Sequence, residues 1–125
     1  MRVFKTKAFQ RWASGEGITD GAVCVAVAEI GQGLVGASLG SGLFKKRVPL
    51  PGHGKRGGAR TILAYREGTR VVFMFGFAKH DRESIGPLEL RTLRGHAGLL
   101  LGLADLELSR MVAGGELVEV VCDGR

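Results

Sequence analysis

Read for its apolar positions, the chain changes period twice. Val3 to Lys5 suits a short opening strand. From Lys7 to Ser14, Phe9 and Trp12 fall three residues apart, which predicts a helix that Gly15 and Gly17 stop. Thr19 is an N-cap and Asp20 a first-turn acid for a second helix, Ala22 to Ile30. That helix is apolar nearly all round, with Glu29 its sole charge, so either the core or a partner must cover it.

After Gly31 and Gly33, alternation replaces the helical period. Leu34 to Ser38, Leu43 to Val48, Arg60 to Arg66 and Arg70 to Ala78 read as strands. Glu67-Gly68-Thr69 makes a compact hairpin turn between the last two. Pro49 and Pro51 are expected to close the strand ending at Val48 and to open a Gly-rich loop. Helix resumes at Gly86-Pro87, with Leu93, Ala97, Leu100, Leu101 and Ala104 as its apolar stripe and a break near Gly102. A shorter helix, Asp105 to Val112, ends at Gly114-Gly115, and Glu116 to Val121 is a final strand. The class implied is α+β: a small antiparallel sheet with N-terminal and C-terminal helices packed on one of its faces.

A chain of 125 residues makes one domain, residues 1–125, with room for a core. Its net charge of +6 favours an acidic partner, nucleic acid first, then an anionic surface or an acidic protein segment. No apolar run is long enough to span a bilayer, and the start turns charged at once, without a signal-peptide core. Cys24 and Cys122 lie far apart in apolar company and read as reduced, packed thiols. Together these points predict a soluble cytoplasmic protein without a membrane partner. His53, His80 and His96 show no metal-ligand spacing, so no metal and no cofactor is expected.

The cations change the picture most. Lys45, Lys46, Arg47, Lys55, Arg56, Arg60 and Arg66 succeed one another with no intervening Asp or Glu, around the Gly-rich stretch 52–58. Such a concentration repels itself unless an anion, most often phosphate, neutralises it. The glycines follow neither the Walker A nor the Rossmann pattern. Alternation puts Arg60, Ile62, Ala64 and Arg66 on one strand face. It also gives Phe73, Phe75, Phe77 and Lys79 a common face, with Phe73 and Phe75 as core and Phe77 near the strand end, where an aromatic can stack on a base. Lys79-His80-Asp81-Arg82 ends that strand, and His80 is the histidine best placed to carry a proton.

Four segments carry a family resemblance. They are Val3-Phe4-Lys5-Thr6-Lys7-Ala8-Phe9 with Trp12-Ala13, Gly42-Leu43-Phe44-Lys45-Lys46-Arg47, Gly52 through Thr61, and Gly76-Phe77-Ala78-Lys79. Together they resemble the RelE/HigB-like toxins of bacterial type II toxin–antitoxin systems. The nearest subgroup has a Lys-Lys-Arg … Gly-Lys-x-Gly-Gly-x-Arg-Thr … Gly-Phe-Ala-Lys pattern. The resemblance implies a RelE-like fold and a toxin that cleaves mRNA, usually on the ribosome. It also implies silencing by a cognate antitoxin, typically of the helix-turn-helix type. This chain has Ala59 where the subgroup often has Tyr, and His80 where it often has Asn.

The chemistry so implied is metal-independent attack of an RNA 2′-hydroxyl on the adjacent phosphate. Arg60 is then the phosphate clamp, Lys55 and Lys79 are proton-transfer candidates, and His80 is the alternative acid. Lys45, Lys46, Arg47, Arg56 and Arg82 hold the RNA backbone, and Phe77 stacks on a base. Two other readings remain open: a non-catalytic module that binds nucleic acid or the antitoxin, and an inhibitor of DNA gyrase, as in some relatives.

Overall fold

A computed structural model describes residues 1–52, 54–81 and 84–122, with the backbone alone for 54–57. The order is β1 (Arg2–Thr6), α1 (Lys7–Glu16), α2 (Asp20–Gly31), β2 (Ala37–Gly40), β3 (Leu43–Leu50), β4 (Gly54–Arg66), β5 (Arg70–Ala78), α3 (Pro87–Gly102), α4 (Asp105–Ala113) and β6 (Leu117–Val120). The class is α+β, as expected. The strands form one six-stranded sheet in the order β2-β3-β4-β5-β1-β6. Every pairing is antiparallel except β1 with β5, which is parallel.

The expectation that all helices share one face does not hold. α1 and α2 cover one face, where Phe9, Ala13, Val23, Ala26 and Ile30 meet Val3, Val48, Leu63, Val71 and Phe73. α3 and α4 cover the other, where Ala97, Leu100 and Leu108 meet Phe4, Ile62, Ala64, Val72 and Met74. The reason is visible in β5: Val71 through Met74 are all buried, an unbroken apolar run of the kind a strand shows when both its faces are covered.

Local chemistry sets the helix ends. Thr6 Oγ1 accepts from the Phe9 amide at 3.1 Å and donates to the Met74 carbonyl at 2.9 Å, so the cap of α1 is also pinned to β5. Thr19 caps α2 through the Ala22 amide at 3.2 Å, and Lys5 Nζ reaches Asp20 Oδ1 at 2.5 Å. Pro87 opens α3, and Glu89 Oε1 accepts from the Gly86 amide at 3.1 Å. Arg70, only 3% exposed, donates from Nη1 to the Leu100 and Leu103 carbonyls at 2.9 and 2.6 Å, closing the C-terminal end of α3. Arg66 adds a bond to the Leu101 carbonyl at 3.1 Å.

Two further expectations are corrected. β3 does not stop at Val48; it runs through Pro49 to Leu50, and its register with β4 shifts between Val48 and Leu50, where a bulge tolerates proline. Most of the Gly-rich stretch is not loop, because β4 begins at Gly54, paired with Leu50. Cys24 and Cys122 are not free thiols. They form a disulfide with Cα atoms 5.5 Å apart, because α2 lies over the sheet edge and brings Cys24 to the residues following β6. Among the described residues, no helix is long and apolar enough to cross a membrane.

Candidate functional site

The antiparallel register of β3 with β4 sorts the cations. Lys45 pairs with Ile62 and Arg47 with Arg60, and partners across a ladder project to the same face. Ile62 belongs to the cluster under α3 and α4, so Lys45, Arg47 and Arg60 share that face. Lys46 faces the other way. Its Nζ donates to the Leu34 carbonyl at 2.7 Å and lies 3.0 Å from Glu29 Oε1 on α2. With a side chain only 7% exposed, Lys46 is an internal tie between β3 and α2, not a backbone-holding cation of the cluster. Arg66, committed to the end of α3, is likewise absent from it.

Arg60 is the distinctive member. It is 9% exposed, and its Nη1 is a buried donor with no hydrogen-bond partner among the described residues. A buried, unpaired guanidinium nitrogen is costly, and an anion that turns two oxygens to the guanidinium edge, a phosphate or a carboxylate, relieves it. Arg60 pairs with Phe77 across the ladder, and the Lys79 amide bonds the Gly58 carbonyl at 3.2 Å. That bond fixes the end of β5 beside the start of the Arg60 segment. Lys79 and His80 are exposed there, with His80 Nε2 3.4 Å from Asp81 Oδ1. Lys79 and His80, expected from the sequence as proton carriers, therefore lie in the turn that follows β5, the strand paired with the Arg60 segment. The side chains of Lys55 and Arg56 lie outside the described residues, as does Arg82.

The aromatic expectation needs correction. The β4–β5 register shifts between Ile62 and Leu63, which skips Met74 and turns Phe73 away from its period-two neighbours. Phe73 packs on Phe9, 5.3 Å between ring centroids, beneath α1. Phe75 and Phe77 lie on the opposite face, 6.3 Å apart. Phe77 is only 4% exposed and part of the core under α3, so its ring is packed rather than presented for stacking. The half-buried Phe75, assigned to the core on sequence, is the more open of the two. Ala59 is fully buried on the face away from Arg60, packed with the α1–α2 cluster. Among the described residues no group of His, Cys, Asp and Glu is placed to hold a metal.

The fold is thus a small α+β protein in which Lys45, Arg47 and Arg60 share one face of the sheet. Residues 1–120 match the family described as the RelE toxin of the RelE/RelB toxin–antitoxin system, and the chain belongs to that family. It is a toxin of a toxin–antitoxin system, and toxins of this family pair with an antitoxin. Compared with curated proteins, it finds no match.

Proposed function

We propose that this toxin is a metal-independent endoribonuclease that cuts mRNA, in the ribosome-associated manner of the Lys-Lys-Arg subgroup it resembles. The observation that carries the reading is Arg60, buried, without a partner at Nη1 among the described residues and aligned with Lys45 and Arg47 on one face. The guanidinium binds the non-bridging oxygens of the scissile phosphate and stabilises the charge that grows there in the transition state. The 2′-oxygen forms its bond to phosphorus as the bond to the 5′-oxygen breaks. One proton leaves the 2′-hydroxyl and one reaches the departing oxygen; Lys79 and His80, adjacent at the end of β5, are placed for these transfers. The products are a 2′,3′-cyclic phosphate and a 5′-hydroxyl. Lys45 and Arg47 hold flanking phosphates, and a helix-turn-helix antitoxin silences the toxin by pairing acidic groups with these cations.

The test is induced expression without antitoxin, with mRNA 5′ ends mapped, for wild type, Arg60→Lys and Lys79→Ala. Wild type should give new ends in translated messages. Arg60→Lys keeps the charge but loses the guanidinium fork, and losing that transition-state contact should lower cutting by roughly a hundred- to a thousandfold. Because Arg60 is buried, the exposed Lys79→Ala variant serves as a partner unlikely to disturb the fold. Growth arrest with intact messages would reject the nuclease and direct attention to gyrase.

A further inference from the structure

Between β5 and the first two turns of α3 lies a shallow, open depression of about 350 Å³ lined by Phe75, Leu88, Glu89, Thr92 and Leu93. Its floor is Phe75, which the bulge at Met74 has turned to the same face as Arg60. Phe75 pairs with Ile62 and Arg60 with Phe77, so Phe75 and Arg60 are diagonal neighbours on adjacent strands. Such neighbours lie roughly 7–8 Å apart, the reach of one nucleotide from phosphate to base. Leu88 and Thr92, four residues apart on α3, form the wall with Leu93. The lining is an aromatic ring, two leucines, one hydroxyl and one carboxylate.

We propose that this pocket receives a nucleobase of the RNA whose phosphate lies on Arg60, stacked on Phe75 against Leu88 and Leu93, with the Thr92 hydroxyl reading the base edge. The proposal rests on the ribonuclease reading and gives it a seat for sequence preference. The pocket is apolar where a base face needs contact and polar at one position, where an edge can be read. Its Phe75 is the diagonal neighbour of Arg60 in the sheet, so one nucleotide can engage both. An antitoxin side chain could use the same apolar walls, but nothing on this face besides the cations speaks for a protein segment, and the aromatic floor beside a phosphate clamp speaks for a base.

Thr92 is exposed and Leu88 is 76% exposed, so substitutions there leave the fold intact. Thr92→Trp fills the pocket, and Leu88→Glu sets a negative charge at its rim. Both should be compared with wild type and Arg60→Lys in a ribosome-containing translation extract, with a reporter mRNA and mapped 5′ ends, alongside antitoxin binding. Losing one stacked base should raise KM by at least about fivefold to tenfold. The base preference at the nucleotide beside the cut should flatten. Variants with the wild-type cut map and KM, while Arg60→Lys is inactive, would overturn the pocket and leave the nuclease standing. Variants that lose antitoxin binding with an unchanged cut map would also overturn it, assigning the pocket to the antitoxin. Wild type that leaves the reporter uncut would overturn both readings together.

Discussion

Replacing Lys46 by methionine separates two jobs that adjacent lysines blur. In the sequence Lys45 and Lys46 are one basic pair; in the fold they point to opposite faces. Methionine keeps most of the Lys46 stem but deletes the ammonium, and with it the 2.7 Å bond to the Leu34 carbonyl and the 3.0 Å contact with Glu29. Removing one member of a fully buried ion pair costs about 3–5 kcal/mol. Glu29 is 22% exposed and keeps other interactions, so water and neighbours soften its loss. The Leu34 carbonyl still loses its donor, a cost of about 1–3 kcal/mol. A net loss of about 2–3 kcal/mol follows, which in a domain of this size lowers the melting temperature by roughly 6–15 °C. Lys45→Met removes no such tie and should melt within a few degrees of wild type. It should instead weaken binding to a non-cleavable RNA oligonucleotide and reduce the slope of log K against log salt by about one. Thermal melts followed by circular dichroism and a salt titration of RNA binding decide the matter. If Lys46→Met melts like wild type and loses RNA affinity as Lys45→Met does, the assignment of Lys46 to the scaffold is wrong.

Two further predictions concern stability. The Cys24–Cys122 disulfide spans 98 positions, and closing a loop near 100 residues contributes up to about 4.7 kcal/mol by chain entropy, so reduction or Cys24→Ser should lower the melting temperature by roughly 10 °C or more. Alkylation of both thiols in untreated, folded protein would contradict it. Arg2 holds Glu119 in a two-pronged bond, 2.9 Å on each prong, and that bond, only partly offset by burial, sets the Glu119 carboxyl below its ordinary 4.5. A carboxyl with a depressed folded-state pKa contributes stability that is complete above 4.5 and fades as pH falls through the lower value. Arg2→Met should therefore melt slightly below wild type at neutral pH, by no more than the equivalent of about 1 kcal/mol, and the gap should close on acidification. A gap that widens with acid would refute the linkage.

Much of the architecture was legible because local chemistry agreed with it. Thr19 caps α2 as its position suggested, Glu67-Gly68-Thr69 joins β4 to β5, and α4 ends before Gly114-Gly115. The α3 stripe does bury Ala97 and Leu100. What escaped were features set by pairing between distant segments. A single inserted residue at Met74 breaks the period-two rule, and only the β4 partner reveals it. The division of Lys45 from Lys46 depends on where α2 lies, and the disulfide on the meeting of α2 with the edge beyond β6. The two-sided burial of β5 shows in its unbroken apolar run, whereas alternation alone predicts a single covered face. At the site, the basic composition pointed to the right neighbourhood. It could not show that Arg60 is the buried member with no partner at Nη1 among the described residues, or that Phe75 is less buried than Phe77.

The position of β1 has a consequence for how the toxin is made. This strand precedes the other five in the sequence, yet it sits between β5 and β6, paired with residues 70–73 on one side and 117–120 on the other. Until β5 has been synthesised, the opening segment has no neighbour in the sheet, and until β6 follows, one edge of it stays open. The sheet that supports Arg60 is thus completed only once β6 has been made. A nascent or prematurely terminated chain carries the cationic segment without the finished scaffold that aims it. The assembled toxin therefore exists only after β6 has joined β1, which is also when an antitoxin can first recognise it whole.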